Sequence, residues 1–429
     1  MSFNNLPLEL LAEIFQYLPR KDRITCSMVC TRWKYALDCP YLWKNMIIYL
    51  DTDLMEPSTI IATKQYHEHF KAMEFCWANP RLPARWMQHG LQEFSKRACR
   101  YIMILQDSFI QLKSVKIVDW YEIPKFKKIT YHLCKFLRSQ INLVKVSFFN
   151  VNFNKGDCVK LLAACLSSVN NLKHMDISNC HHVGPSMFES VTFISCIEHL
   201  SNLCVLRLDY TVLCGGVLDA IILSKNTELA YLDVTVRDYD HTRALISEQT
   251  WKKLHMQCPK LKVAMHLKNI CHFDDIYMVL REAIPLTTFT LTCGRIWDQT
   301  RSRQYRRTIL LLIKNYCKTL ENICLQINYN REVLDDLILE LIHECINLKY
   351  FDFHGIIENM ELLKKICQMQ IHNRENGFKY FHILPTNMNP RNHYFLSRLH
   401  RDFAAKLEKC NVDFKICNAS SKNLVYVYY

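Results

Sequence analysis

The chain has 429 residues, of which 50% are hydrophobic and only 8 are glycine and 12 proline. This composition can fill a large core and excludes collagen-like and low-complexity disordered classes. The formal net charge of +13 favours acidic partners, either protein or nucleic acid, and does not bear on the fold.

The first predicted elements are two helices between Leu6 and Leu37. Pro7 suits the first turn of a helix, and Asn5 is a candidate cap. Up to Leu18 the polar residues form one narrow stripe, Glu9, Glu13 and Gln16. The rest of this helix is apolar, which predicts burial of most of its surface. The second helix carries an apolar stripe of Cys26, Val29, Cys30, Trp33 and Leu37.

From about residue 70 a pattern recurs, in which an apolar anchor is followed by further apolar residues and then by a helix-like stretch. Examples are LKSVKI (112–117), LVKVSF (143–148) and LKYFDF (348–353). The anchors recur about every 25 to 34 residues, which is the period of a stacked solenoid. The pattern predicts one strand and one helix in each repeat. Stacked repeats of this kind form an α/β fold with parallel strands on a concave face. KLKVAMHL (260–267) fits only if its register slips. The alternative is an ordinary α/β domain with coincidental spacing.

The strand–helix repeat resembles the leucine-rich repeat family over about 310 residues. That family usually places Asn or Cys three residues after the last apolar strand position. Cys180 and Asn328 match this position in two repeats, and other residue types occupy it elsewhere: Trp120, Val151, Thr211, Arg237 and Gly294. We therefore expect the turns to be satisfied differently. A helix over 391–409 and strands over 412–416 and 425–429 are expected to cap the array.

The first 45 or so residues match, in order, the motif positions of a second family. The matching residues are Leu6, Pro7, Glu9, Leu10, Ile14, Phe15, Leu18, Asp22, Arg23, Val29, Cys30, Trp33, Leu42 and Trp43. The segment resembles an F-box. With the repeats, the chain is similar to leucine-rich-repeat F-box proteins and most resembles the F-box only protein 39 group. We expect a three-helix F-box over 1–48, a linker over 49–66 and the repeat domain over 67–429.

The resemblance implies a function. In this family the F-box docks the adaptor Skp1, which joins cullin and RING subunits, and the C-terminal domain holds a protein substrate. The chain would then be a non-catalytic substrate receptor of an SCF ubiquitin ligase. The residues expected to bind Skp1 are Leu6, Pro7, Leu10, Leu11, Ile14, Phe15, Leu18, Val29, Cys30, Trp33, Leu42 and Trp43. The many apolar residues of the first helix support this docking role, because a module of this size has too small an interior to bury all of them. The alternative is that the module simply caps the repeat array.

In each strand the residues that alternate with the buried apolar residues are expected to face the concave side, where a substrate would bind. The central row is Lys116, Ser147, Asp176, Arg207, Asp233, Thr290, Cys324, Asp352 and His382, flanked by Phe149, His174, Tyr231, Tyr350, His354 and Tyr380. Aromatic residues of this kind are enriched at protein interfaces. We expect substrate contacts from Arg207, Tyr231, Tyr350, His354 and Tyr380. A solvated sheet face with no partner is the alternative.

The densest basic stretch lies over 294–308 and contains Arg295, Arg301, Arg303, Arg306 and Arg307. Cations at a helix N-terminus oppose the macrodipole, so local stability does not explain them. We expect the last four to bind a phosphate or acidic segment of a substrate, with a solvated loop as the alternative.

Signatures of catalysis, cofactors and metals are absent from the sequence, including HExxH, GxSxG and phosphate-binding glycine loops. The 21 cysteines include no CxxC pair, so we expect neither a metal nor a cofactor, and reduced thiols in the cytoplasm or nucleus. The neighbours Cys271 to Asp275 cannot converge as a triad, and His181 and His182 indicate a turn. We expect neither a secretory signal nor a membrane span. The open alternatives are a scaffold for an acidic protein or nucleic acid, or a Skp1 binder without ligase activity.

Overall fold

The structure is a computed structural model that describes residues 6–77, 90–120, 127–151, 155–180, 191–213, 215–237, 245–270, 272–293, 303–327, 330–372, 377–386 and 389–416. The chain divides into two compact units, residues 1–209 with 219–229, and residues 210–218 with 230–429. Some predictions fall outside the described residues: the Asn5 cap, His181, His182, Cys271, Gly294, Arg295, Arg301, Asn328 and the strand over 425–429.

The first unit combines N-terminal helices with six strands. Its helices are α1 (Leu8–Gln16), α2 (Arg20–Ser27), α3 (Thr31–Leu37), α4 (Pro57–Tyr66), α5 (Gly90–Asp107), α6 (Lys127–Arg138), α7 (Lys155–Cys165) and α8 (Val191–Glu198). Its strands are β1 (Asn45–Tyr49), β2 (Ala72–Cys76), β3 (Ser114–Val118), β4 (Lys145–Phe149), β5 (His174–Ile177) and β6 (Val205–Asp209). Each strand pairs in parallel with the next.

The second unit repeats the same alternation; helix α9 (Gly215–Leu223), whose residues are divided between the two units, precedes its first strand. Its strands are β7 (Tyr231–Arg237), β8 (Lys262–Lys268), β9 (Leu286–Thr292), β10 (Asn322–Gln326), β11 (Tyr350–Gly355), β12 (Tyr380–Pro385) and β13 (Asp413–Ile416), all parallel to their neighbours. Its helices are α10 (Glu248–Gln257), α11 (Phe273–Val279), α12 (Tyr305–Tyr316), α13 (Asp335–Glu344), α14 (Glu361–His372) and α15 (Pro390–Glu408). Of the described helices, none is long and apolar enough to cross a membrane.

The predicted α/β repeat architecture is confirmed. Alternate strand residues such as Val115 and Ile117 are completely buried, and so is the anchor Leu112 that precedes them. Because successive strand side chains point to opposite faces, this alternation buries one face of each strand against its helix. The predicted slip in the segment 260–267 is also confirmed, since the β8–β9 register shifts between Val263 and Ala264.

The N-terminal segment contains three helices, so the prediction of two helices between Leu6 and Leu37 is wrong. The expected apolar stripe of the second helix is broken at Cys30, whose extended backbone (φ −160°, ψ 164°) separates α2 from α3. The sequence gives little warning, because neither glycine nor proline marks this break.

Residues 49–66 also differ from the linker that we expected. They contain the end of β1, a 3-10 turn over Asp53–Met55, and α4. Thr59 and Thr63 of α4 are completely buried. Strand β1 escaped prediction because its apolar residues lie on both faces; Met46 and Ile48 are buried, but Ile47 is 47% exposed. Such a strand shows no alternation of apolar and polar residues.

The turns after the strands are satisfied without a uniform Asn or Cys ladder. Trp120 Nε1 donates to the carbonyl of Phe75 on the preceding strand (3.0 Å), and Cys180 Sγ contacts the carbonyl of Phe148 (3.4 Å). An indole and a thiol thus hold equivalent backbone groups in different repeats. Before strand β3, the N–H of Leu112 donates to Oε1 of the buried Gln140 at 2.9 Å.

Candidate functional site

Helix α1 divides its apolar residues between core and surface. Leu11, Ala12 and Phe15 are at most 3% exposed. Leu10 and Ile14, four residues apart and therefore on one face, are 44% and 39% exposed. Some of the apolar side chains of α1 are therefore not covered by the described residues.

The connection between α2 and α3 adds further exposed apolar side chains. Met28 is 74% exposed and Val29 is 60% exposed, and Cys30 is also exposed. We call the exposed apolar residues of α1 and of this connection the N-terminal apolar surface, which consists of Leu8, Leu10, Ile14, Met28, Val29 and Cys30.

The helices that carry this surface are fixed to one another. Phe15 of α1 meets Trp33 of α3 edge to face, with ring centroids 5.3 Å apart. Arg32 donates to the carbonyl of Leu6 at the start of the same segment. Aromatic pairs of this geometry add stability beyond their buried area. The exposed side chains are therefore presented by a packed module.

Arg23 holds the C-terminal end of α1. Its Nε donates to the carbonyls of Phe15 (3.0 Å) and Leu18 (2.9 Å), and its Nη2 donates to that of Gln16 (2.7 Å). Its Nη1 reaches the carbonyl of Leu42 at 2.7 Å. A cation is favourable here because the last carbonyls of a helix lack intrahelical partners and carry partial negative charge. One guanidinium thus joins α1 to the segment that leads into β1.

Trp43 anchors the module to the first strand repeat. It is completely buried, stacks on Tyr66 of α4 at 4.1 Å between ring centroids, and donates from Nε1 to the Leu37 carbonyl at 2.6 Å. Burial raises the pKa of Tyr66 to about 12. Arg20 forms a 2.7 Å ion pair with Asp53. The module is continuous with the packing of β1 and α4.

The residues predicted to bind Skp1 therefore fall into two groups. Four are buried: Leu11, Phe15, Leu42 and Trp43. The others are exposed or half-buried: Leu6, Pro7, Leu10, Ile14, Leu18, Val29, Cys30 and Trp33. A buried side chain cannot be touched without rearrangement, so the first group supports the surface from within. Contact by the second group stays a prediction.

The strand register brings the predicted central row together in the first unit. Lys116, Ser147, Asp176 and Arg207 are successive partners on β3 to β6. Lys116 also pairs with Glu74 of β2 at 3.4 Å, and Arg207 is half-buried. The row thus contains both signs of charge and an uncharged serine.

In the second unit the predicted row needs one correction. Asp233 pairs with Ala264, whereas Thr235 pairs with His266, which in turn pairs with Thr290. Asp233 and Thr290 are therefore offset by two residues along the strands. His266, which the sequence analysis missed because the slip conceals its face, lies 3.3 Å from Asp233 (Nε2 to Oδ1) and 3.0 Å from Thr290 (Nδ1 to Oγ1).

The predicted aromatic contacts are partly exposed. Tyr350 is 45% exposed and lies 6.3 Å from Tyr380 between ring centroids. The ammonium of Lys415 lies 5.4 Å from the centre of the Tyr380 ring. Tyr231 is half-buried. His354 is only 7% exposed, so its predicted place on an open surface is wrong.

Two arginines of the basic stretch have contacts within the chain. Arg306 forms a two-pronged contact with Asp336 (2.8 and 2.6 Å), and the Arg307 guanidinium lies 4.1 Å from the Phe273 ring centroid. The carboxylate of Glu332 accepts from the first N–H groups of α12 and offsets the unfavourable charge there. Arg303 is half-buried, and Arg301 lies outside the described residues. Substrate binding by this stretch stays a prediction.

A cluster of titratable side chains occupies one face of β10, β11 and β12. Asp352 Oδ1 lies 2.7 Å from His382 Nδ1 and 3.1 Å from His354 Nε2, and Asp352 Oδ2 accepts from the Cys324 thiol at 3.2 Å. Burial of Asp352 opposes its ionisation, but the two imidazoles outweigh burial and hold the pKa of this carboxyl below its usual range. Burial and the Asp352 charge raise the pKa of the Cys324 thiol well above its usual value.

Comparison with known proteins agrees with this architecture. The F-box-like family matches residues 3–49. F-box/LRR-repeat protein 21 of Mus musculus is 23% identical over 302 residues, covering 67% of this chain and 64% of that protein. F-box/LRR-repeat protein 8 of Homo sapiens is 24% identical over 292 residues, which is 67% of this chain and 74% of that protein. F-box/LRR-repeat protein 12 of Homo sapiens is 49% identical over only 47 residues, 11% of this chain and 14% of that protein.

The chain thus has an F-box-like domain at its N-terminus and is homologous to F-box/LRR-repeat proteins. It spans somewhat less than two thirds of the length of the mouse relative.

Proposed function

We propose that this chain is the substrate-recognition subunit of an SCF (Skp1–cullin–F-box) ubiquitin ligase. In this role the N-terminal apolar surface docks Skp1, and the strand repeats bind a protein substrate. The chain itself performs no chemistry; it joins the substrate to cullin and RING subunits that act through Skp1.

The observation that carries the proposal is the exposure of Leu10 and Ile14 on α1 and of Val29 in the α2–α3 connection, in a segment whose helices are packed together. These residues are 44%, 39% and 60% exposed in a module whose buried side chains already form a packed interior. A cluster of exposed aliphatic residues on a rigid base is typical of a protein interface. The F-box-like match over residues 3–49 supports Skp1 as the partner class.

Substrate binding by the repeats rests on the exposed strand residues. The tyrosine pair of β11 and β12 offers amphipathic aromatic area beside Lys415, which is itself ion-paired with Asp413 at 2.8 Å. The alternative of a nucleic-acid scaffold predicts a contiguous basic face. The row on β3 to β6 does not fit it, because Asp176 lies between Ser147 and Arg207 and Lys116 is paired with Glu74.

We also propose that the protein works in a reducing compartment, the cytoplasm or nucleus. The cysteines of the described residues are free thiols, and most are buried. Small buried thiols without disulfides are typical of intracellular proteins.

Reconstitution tests the proposal. The full chain is purified with Skp1, the complex is added to cullin, RING subunit, E1, E2 and ubiquitin, and ubiquitin transfer to co-purified proteins is followed. We expect a stoichiometric complex with Skp1 and transfer that depends on it. A chain that binds Skp1 without supporting transfer would be an adaptor of another kind. A chain that does not bind Skp1 would contradict the docking assignment.

A further inference from the structure

Three neighbouring repeats place metal-binding side chains on one strand face. Asp352 of β11 is the register partner of Cys324 on β10 and of His382 on β12. His354 follows Asp352 by two residues, so its side chain lies on the same face of β11. Cys324 lies 28 positions before Asp352 and His382 lies 30 positions after it, so the repeat period brings the three strands' residues together.

The distances within the cluster suit a small cation site. One ligand atom from each of Asp352, His354 and His382 can be chosen so that all lie within 4.8 Å of one another. The two imidazole rings meet at right angles, with centroids 5.1 Å apart. The ligand atoms of a four-coordinate zinc ion, each about 2.0–2.3 Å from the metal, lie about 3.3–3.8 Å apart. Small rotations of the side chains would close the cluster onto an ion.

One buried nitrogen points to a missing ligand. His382 is 6% exposed, and its Nε2 has no hydrogen-bond partner among the described residues. Its Nδ1 lies 2.7 Å from the Asp352 carboxylate. Because Nδ1 now contacts the Asp352 carboxylate, the His382 ring must turn before Nε2 and that carboxylate face the same ion. A buried polar atom without a partner is rare enough to need an explanation.

We propose that Asp352, His354 and His382 bind a divalent transition metal ion of the zinc class, and that the Cys324 thiol is the fourth ligand. Imidazole, carboxylate and thiolate are the donors that zinc selects, whereas calcium and magnesium require oxygen. The Cys324 proton leaves to solvent when the thiolate binds the ion. This site goes beyond the proposed ligase function and does not depend on it. It also replaces the expectation from sequence that the chain holds no metal.

Without metal, the same residues form a network in which Asp352 is hydrogen-bonded to His382 and accepts from the Cys324 thiol, while His354 Nε2 lies 3.1 Å from the carboxylate without a hydrogen bond. That network leaves His382 Nε2 buried without a partner. The two possibilities differ in whether added zinc is bound.

The test is a competition titration of the full chain with Zn²⁺ against a chromophoric chelator, after the protein has been stripped of metal. We expect one equivalent of zinc bound below about 1 μM, and a melting temperature that rises with zinc because the ion binds only the folded chain. His382→Gln and Asp352→Asn are expected to weaken binding by at least about 100-fold, since both remove a contact to the ion.

The matched control is His266→Gln. His266 lies on the same sheet, and its Nε2 is 3.3 Å from Asp233. Among the described residues, His266 does not belong to a cluster of three possible metal ligands. This variant is expected to bind zinc like the wild type. Absence of zinc binding by the wild type would overturn the proposal, and so would equal binding by His382→Gln.

Cobalt gives a readout that needs no change to either histidine. Co²⁺ bound to the wild type is expected to show a thiolate charge-transfer band that Cys324→Ser abolishes. A wild-type cobalt complex without this band would remove Cys324 from the ligand set.

Discussion

Replacing Leu10 and Ile14 together by aspartate should abolish Skp1 docking while the chain stays folded. Complete burial of a leucine or isoleucine side chain contributes about 1.5–3 kcal/mol. Leu10 and Ile14 are 44% and 39% exposed, so covering the exposed part of both contributes about 1.2–2.5 kcal/mol. This alone corresponds to a change in Kd of about 10- to 70-fold.

The introduced charges increase the effect. Burying a polar group without a partner costs about 1–3 kcal/mol by protein mutational data, and a carboxylate costs more. The double aspartate variant should therefore bind Skp1 at least about 200-fold more weakly than the wild type. Each side chain is already about two fifths exposed, so the free energy of unfolding should fall by less than it would for two fully buried residues.

The assay is isothermal titration calorimetry with purified Skp1, accompanied by thermal melting of each variant. The matched control is Ile141→Asp, which places the same charge at an aliphatic side chain that is 59% exposed in the same unit. We expect the control to bind like the wild type. An unchanged Kd for the double variant, with an unchanged melting temperature, would refute the assignment of this surface to Skp1.

Three further outcomes are expected. Lysine in place of Arg23 cannot donate to the carbonyls of Phe15 and Leu42 together, so Arg23→Lys should lower the free energy of unfolding by about 2–3 kcal/mol. Urea unfolding measures this change, and an unchanged urea midpoint would show that Arg23 does not hold the end of α1 in place. Maleimide should label Cys30 in the free chain but not in the Skp1 complex, while Cys158, whose pKa burial raises to about 12, reacts only after unfolding. Asp352→Asn should destabilise the metal-free chain by about 1.5–3 kcal/mol at pH 7.

The last of these effects has a definite pH dependence. The folded pKa of Asp352 is below its unfolded value, so its contribution is complete above the unfolded pKa, about 4, and is lost as the pH falls toward the folded pKa. The difference in unfolding free energy between wild type and Asp352→Asn should therefore shrink below about pH 4. A difference that stays constant from pH 7 to pH 3 would show that the charge of Asp352 does not stabilise the fold.

The strand repeats could be predicted because each obeys a local rule. Anchors such as Leu112, Leu143 and Leu348 precede alternating apolar residues, and all three are at most 2% exposed in the structure. Strand β1 and the break at Cys30 could not be predicted this way. The first has apolar residues on both faces, and the second contains neither glycine nor proline.

The candidate sites depended on packing that the sequence shows only indirectly. The apolar surplus of α1 was evident, but not which residues meet the core, because Leu10 and Leu11 have the same chemistry and differ only in direction. The sequence placed Cys324, Asp352 and His382 in one row of strand residues, but not the short contacts among them, because these residues belong to different repeats and meet through strand register. Short-range spacing of Cys and His, on which a metal search of the sequence relies, carries no signal for such a site.

Substitutions at the buried motif positions cannot locate the docking surface. Phe15→Ala would leave a cavity beside Trp33 and cost about 3–5 kcal/mol, so it would lower Skp1 affinity by loosening the module whatever the surface contacts. Val29→Asp, at a side chain that is 60% exposed, changes the surface alone. A variant that loses affinity at an unchanged melting temperature identifies a contact, whereas a variant that loses both identifies support beneath it. The docking proposal therefore depends on Leu10, Ile14 and Val29, and loss of binding on substitution of buried residues adds nothing to it.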